Sequence, residues 1–221
     1  MELYLDTANT DDISRINGIL KIDGVTTNPS IICSSQKDPL EVLQEIIDIL
    51  SEDQKLFVQT VATTYEGIIA EAREINKLRK KNIIVKIPIT IAGLRAIKTL
   101  SDEGITILAT AIYSAEGAFL AAKNGADFLA PYVNRMDNYG DGVQEVIELQ
   151  TMLEKSGLKA KITAASFKNI QQVHRLLVAG IYSLTIPVNV FDAMIQHPGP
   201  TIAVEQFTNN WNNTYHRKTL K

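Results

Sequence analysis

Short apolar runs alternate with longer amphipathic segments along the whole chain. The first run is Leu3-Tyr4-Leu5-Asp6. The segment Asp11 to Leu20 follows, with Ile13, Ile16, Ile19 and Leu20 at helical spacing. Gly24 to Asn28 is the second run. After a loop, Asp38 to Leu50 carries Leu40, Val42, Leu43, Ile46, Ile47 and Leu50 on one face. Leu56 to Gln59 and Ile83 to Pro88 are the third and fourth runs, separated by a helical segment from about Tyr65 to Arg79. Ala92 to Leu100 reads as the next helix. Ile105 to Thr110, Asp127 to Val133, Lys161 to Ser166 and Ser183 to Pro187 complete the strands. Helical patterns over Ser114 to Lys123, Gly142 to Lys155, Ile170 to Val178 and Val190 to Ile195 lie between and after them.

Eight strand-helix units with no Pro/Gly/Ser-rich linker predict one α/β domain over residues 1–221, a single (β/α)8 TIM barrel. The alternative is a doubly wound open sheet, which needs only five or six strands. A further helix, about residues 201–215, follows the eighth unit. Ala203, Phe207, Trp211 and Tyr215 form one apolar stripe on it, and Glu205, Gln206, Asn209, Asn210, Asn212 and Asn213 make the other faces polar. The stripe packs either on its own barrel or on a neighbouring subunit.

The chain has 221 residues, 45% of them hydrophobic, enough for a sizeable core. A net charge of −3 and scattered cations argue against a nucleic-acid surface. No run approaches the roughly 18 apolar residues of a membrane span, and Met1 to Thr7 reads as neither a signal nor a transit peptide. A single cysteine, Cys33, rules out an internal disulfide framework and is read as a small loop or core residue. A cytoplasmic location is expected.

Polar side chains gather where the apolar runs end: Asp6, Thr26 with Asn28, Gln59, Lys86, Thr110, Tyr132 with Arg135, and Ser166. In a (β/α)8 barrel all eight carboxyl ends open on one face, and that face holds the active site. Strand alternation puts Phe57 with Gln59, Ile84 with Lys86, Leu108 with Thr110, Ala130 with Tyr132, and Ala164 with Ser166 on shared faces. If these faces point inward, the set rims the barrel mouth. Lys86 is the most informative, because its neighbours are all apolar. Burial disfavours an ammonium, and a neutral amine is a nucleophile for a carbonyl carbon. The competing reading is a structural lysine paired with Asp6. A metal-dependent route to carbonyl chemistry would need a histidine cluster, but His174, His197 and His216 all fall late and none ends a strand. No phosphate-binding glycine motif and no nucleophile elbow is present.

Leu5-Asp6-Thr7, Gly24 to Ile31 (GVTTNPSI), Val85-Lys86-Ile87-Pro88, Ala130 to Arg135 (APYVNR) and Ala164 to Lys168 (AASFK) resemble the small transaldolase family, and most closely its fructose-6-phosphate aldolase branch. The resemblance spans nearly the whole chain. It implies a (β/α)8 barrel without cofactor or metal, acting on a sugar or sugar phosphate. It makes Lys86 the Schiff-base lysine, with Asp6 and Asn28 beside it, and Arg135 and Ser166 the phosphate anchors. Transaldolases of the family carry a glutamate where this chain has Gln59 and a phenylalanine where it has Tyr132, so these two residues point to the aldolase branch. Thr110 and Gln59 would then orient a water for Tyr132, and Thr26 joins the substrate-binding set. The alternatives are transfer of a dihydroxyacetone unit between sugar phosphates, as in the pentose phosphate pathway, and a non-catalytic sugar-phosphate binder. The resemblance also implies a homo-oligomeric ring, a pentamer or decamer.

Overall fold

A computed structural model describes residues 1–221. In chain order the elements are β1 (Glu2–Asp6), α1 (Thr10–Asn17), β2 (Gly24–Thr26), α2 (Pro29–Cys33), α3 (Pro39–Ile49), β3 (Lys55–Gln59) and α4 (Tyr65–Lys77). Next come β4 (Ile83–Pro88), α5 (Ile91–Asp102), β5 (Ile107–Ile112), α6 (Ala115–Lys123), β6 (Phe128–Pro131), α7 (Val133–Met136) and α8 (Gly142–Lys155). The last are β7 (Lys161–Ala164), α9 (Ile170–Val178), β8 (Ser183–Pro187), α10 (Val188–Ile195) and α11 (Pro198–Tyr215). All eight strands pair in parallel and in sequence order, and β8 closes on β1. This is the (β/α)8 barrel, and the open-sheet alternative is excluded.

Two cores hold it together. The larger, of 48 buried residues, fills the layer between the strands' outer faces and the helices. Each fully buried Leu, Ile or Val there contributes on the order of 1.5–3 kcal/mol against leaving it in water. The smaller lies inside the barrel: Tyr4, Phe57, Ile84, Leu108, Phe128, Ala130 and Ala165. Tyr4 and Phe57 meet edge to face at 4.8 Å, and Phe57 and Phe128 at 5.7 Å. This plug is the floor on which the polar mouth stands. Below it, the amino end is closed by Lys55, which donates to Glu2 at 2.9 Å, and by Tyr182, which donates to the same carboxylate.

Gly24 illustrates how tightly the barrel closes. It has a φ of 151°, and a Cβ there would sit 2.0 Å from the Lys55 carbonyl oxygen. Only glycine lets β2 and β3 approach this closely. The loops leaving the carboxyl ends finish in residues whose side chains accept a hydrogen bond from the first turn of the next helix. Asn9, Asn28, Thr64, Thr90, Ser114 and Asn169 all do this, at about 1 kcal/mol each.

Several expectations need correction. The run taken as strand to Val133 ends at Pro131, because Tyr132, bridged to Ala165, is the cap before the short helix α7. Arg135 therefore sits on a helix and not at a strand end. Inward-facing Ala164 is also overturned: Ala164 joins the outer core and Ala165 the inner plug. Ser166 lies beyond β7 with a φ of 63°, so strand alternation does not extend to it. Cys33 is neither a loop nor a core residue but ends α2, exposed.

No helix is long and apolar enough to cross a membrane. α11 begins at Pro198, earlier than expected, and none of its residues is buried. Phe207 is 67% exposed and Tyr215 54%. Ile202 and Val204 are exposed as well, so the apolar surface is wider than the expected stripe. Packing of this stripe into its own barrel is not what the structure shows.

Candidate active site

The mouth is built by parity. Tyr4, Phe57, Ile84, Leu108 and Ala130 belong to the inner plug, and two residues further along come Asp6, Gln59, Lys86, Thr110 and, just past the end of β6, Tyr132. The barrel register sets Gln59 beside Lys86 and Asp6 beside Thr26. Five chemically active side chains from five strand ends thus converge on one face.

Lys86 is buried, with 4% of its surface exposed. Its Nζ donates to the Thr27 carbonyl oxygen at 2.7 Å. Burial pushes the Lys86 ammonium below the ordinary lysine pKa, while the charge of Asp6 pulls the other way. Burial also raises the Asp6 carboxyl, and Lys86 and the Thr26 hydroxyl oppose that rise. Asp6 accepts from Thr26 at 2.7 Å and does not form a contact salt bridge with Lys86. Lys86 is thus not locked in the structural ion pair that its position also allowed. Both groups are biased toward their neutral forms, which is what a nucleophilic amine requires.

Thr26 is fully buried, so it reaches a ligand only through Asp6. Its hydroxyl also meets the Thr185 hydroxyl at 2.6 Å. Sequence reasoning missed two members of this cluster. Thr27 contributes its carbonyl to Lys86, and Thr185 holds Thr26 from β8. Thr185 stands at an inward position of its strand, a signal that could have found it, whereas a carbonyl acceptor leaves no trace in side-chain identity.

Asn28 caps α2 by accepting from the Ile31 amide at 3.0 Å, which leaves its amide nitrogen for a ligand. Gln59 Oε1 is buried and takes no hydrogen bond from the protein. Buried acceptors are normally satisfied, so this one is suited to a substrate hydroxyl or a water. The Thr110 and Tyr132 hydroxyls lie 3.1 Å apart.

A bulge in β5 helps to arrange the next group. Ala109 pairs with Leu129 and Ile112 with Pro131, so two residues of β5 oppose one of β6. Ala111 takes a φ of 54° there. Bulges and left-handed non-glycine residues concentrate at functional sites. Ser166, with its own positive φ, is the second such residue at the mouth. The amide of Asn134 donates to its carbonyl oxygen at 3.1 Å, and Val133 donates to Ala165. These bonds tie α7, which carries Arg135, to the turn that carries Ser166. Arg135 is exposed, with its guanidinium carbon 4.7 Å from the centre of the Tyr132 ring.

The site therefore grades from a buried amine at the floor, through neutral hydrogen-bonding groups, to a guanidinium at the rim. A carbonyl group fits the first and an anionic tail the last. A polar cleft of about 490 Å³ adjoins the mouth on the side of Asp6, lined by Asn9, Thr10, Ser34 and Lys37 among others.

Solved structures with the same barrel include a mutant flavocytochrome b2 with pyruvate bound (TM-score 0.61, 13% identity) and a second flavocytochrome b2 variant with the same values. Each match covers 85% of this chain and 56% of the other, so the chain spans little more than half the length of these structures. At this identity the likeness is one of fold alone. A family model described as transaldolase/fructose-6-phosphate aldolase matches residues 3–220. The chain therefore belongs to the transaldolase and fructose-6-phosphate aldolase family.

Proposed function

We propose that the protein is a class I aldolase that cleaves or forms fructose 6-phosphate through a Schiff base on Lys86. The observation that carries this reading is a 4%-exposed lysine, biased toward its neutral form, ringed by polar groups at the mouth of an aldolase-family barrel. Lys86 Nζ attacks the ketose carbonyl, and loss of water leaves an iminium. The iminium accepts the electron pair of the C3–C4 bond as that bond breaks, while the C4 hydroxyl gives up its proton. Glyceraldehyde 3-phosphate departs and a dihydroxyacetone enamine remains on Lys86. Protonation of its carbon and addition of water release dihydroxyacetone and restore the amine.

Tyr132 is the proposed proton carrier, directly or through a water. Its hydroxyl lies against Thr110, and Gln59 offers the neighbouring acceptor. Asp6 and Asn28 take the substrate hydroxyls beside Lys86, and Thr26 holds Asp6. Arg135 and Ser166 take the phosphate, for which the guanidinium fork is suited. Gln59 in place of a glutamate favours hydrolysis of the enamine over its capture by a second aldehyde, since a carboxamide cannot relay a proton. With purified protein and fructose 6-phosphate alone, free dihydroxyacetone should accumulate. Erythrose 4-phosphate should suppress that release only weakly. Release of none without the acceptor, with efficient transfer in its presence, would make the protein a transaldolase.

We further propose that α11 anchors a ring of identical subunits. Its exposed Phe207 and Tyr215, with Trp211 packed against Tyr215 at 4.5 Å, are residue types that dominate interface cores. Truncation after Gln196, or Phe207→Asp with Trp211→Asp, should lower the mass measured by light scattering. An unchanged mass would exclude α11 from the assembly.

A further inference from the structure

The β5 bulge has an effect beyond Thr110. Without it, strand alternation from Leu108 and Thr110 would turn Ile112 into the barrel and Tyr113 out among the helices. With Ala111 in the left-handed region, the parity resets: Ile112 enters the outer core, fully buried, and Tyr113 emerges at the mouth, 41% exposed. There the Tyr113 and Tyr132 rings lie 5.9 Å apart, and Arg135 Nη1 donates to the Tyr113 hydroxyl oxygen at 2.8 Å.

We propose that Tyr113 is a positioning and specificity residue of the phosphate subsite, holding Arg135 in place and itself donating to the anion. The proposal rests on the aldolase reading above. An exposed arginine samples many rotamers, and here two contacts restrict it: the stack on Tyr132 and the hydrogen bond to Tyr113. Because the Tyr113 oxygen accepts from Arg135, the one phenolic hydrogen is left free to point elsewhere. Four further N–H donors of the guanidinium are also free, enough for a bidentate grip on phosphate. The two donors are thus aimed from different elements, the β5–α6 loop and α7, toward one position at the rim. Asp137, the carboxylate nearest in sequence to Arg135, is engaged by Gln172 at 2.6 Å and by the Gly142 amide. Arg135 therefore keeps its positive charge unpaired by a carboxylate, as an anion site needs.

Tyr113→Phe removes the oxygen and keeps the ring. In condensation with dihydroxyacetone, it should raise KM for glyceraldehyde 3-phosphate roughly tenfold more than KM for glyceraldehyde. kcat should change less than KM. In an Arg135→Ala background the same substitution should add a smaller selective loss, because only the hydroxyl's own donation to the anion is left to remove. Tyr139→Phe, on the exposed loop after α7, serves as the control. Equal effects of Tyr113→Phe on the two aldehydes, or a full additional loss in the Arg135→Ala background, would overturn the proposal. Calorimetric titration with glycerol 3-phosphate separates this from the aldolase reading. If the unmodified protein neither cleaves nor transfers, that reading falls. Weaker binding by Tyr113→Phe would then still support the clamp, and equal binding would overturn it.

Discussion

Lys86→Met is expected to lose aldol cleavage by several orders of magnitude while the barrel remains folded. An unperturbed lysine would be only about 0.04% neutral at pH 7. Burial moves Lys86 toward the neutral form, so the unmodified protein holds a larger share of attacking amine. Its cleavage rate should fall as the pH drops through the depressed pKa, because the protonated amine has no electron pair to donate. Methionine has a similar reach and no proton equilibrium, so the side chain is accommodated where the Lys86 stem was. What changes is Asp6, which loses the one cation that lowers its pKa. A carboxyl raised above its unfolded value stabilises the fold only below the unfolded pKa, and that contribution is lost as pH rises through the folded one. The stability gap between variant and unmodified protein should therefore narrow on acidification toward pH 4. Borohydride added with dihydroxyacetone should attach a three-carbon unit at Lys86, read by peptide mass spectrometry. Full activity in the variant, or an adduct on another lysine, would end the Schiff-base reading.

Tyr132→Phe is expected to lower kcat for aldol cleavage by roughly 10²-fold or more, the scale of a lost general acid-base. The ring that supports Arg135 at 4.7 Å is retained, so KM for the phosphorylated aldehyde should move little. The phenol's partner is Thr110, at 3.1 Å. Adding Gln59→Glu to Tyr132→Phe supplies a carboxyl beside Lys86, its neighbour in the barrel register. That combination should recover turnover and shift the ratio of transfer to dihydroxyacetone release toward transfer. An undiminished kcat in the single variant would remove Tyr132 from the proton path. An unchanged product ratio in the double variant would mean that Gln59 does not set the branch.

The rhythm of apolar runs and amphipathic segments was sufficient for the barrel, because a period of two gives way to one near 3.6 eight times and each switch is local. Gly142–Lys155 and Ile170–Val178 coincide with the predicted helices to the residue. Alternation likewise placed Gln59, Lys86, Thr110 and Tyr132 above the inner plug. The short helices α2 and α7 were not legible. With five and four residues they are too short to show a period, and their existence depends on the Asn28 cap and on the backbone bond from Val133 to Ala165.

The alternation of hydrophobic and polar residues, a local property of the chain, by itself determined the eightfold architecture and the buried position of Lys86. Only the tertiary structure decided where alternation stops. The left-handed turns at Ala111 and Ser166 occur in residues with no intrinsic preference for that conformation. They are held by contacts with β6 and α7, elements that follow or precede them by some twenty to thirty positions. Those turns bring Tyr113 to the mouth and remove Ser166 from the strand pattern. The loose packing of α11 was equally undecided by its sequence, since an apolar stripe specifies that something must cover it but not which surface does.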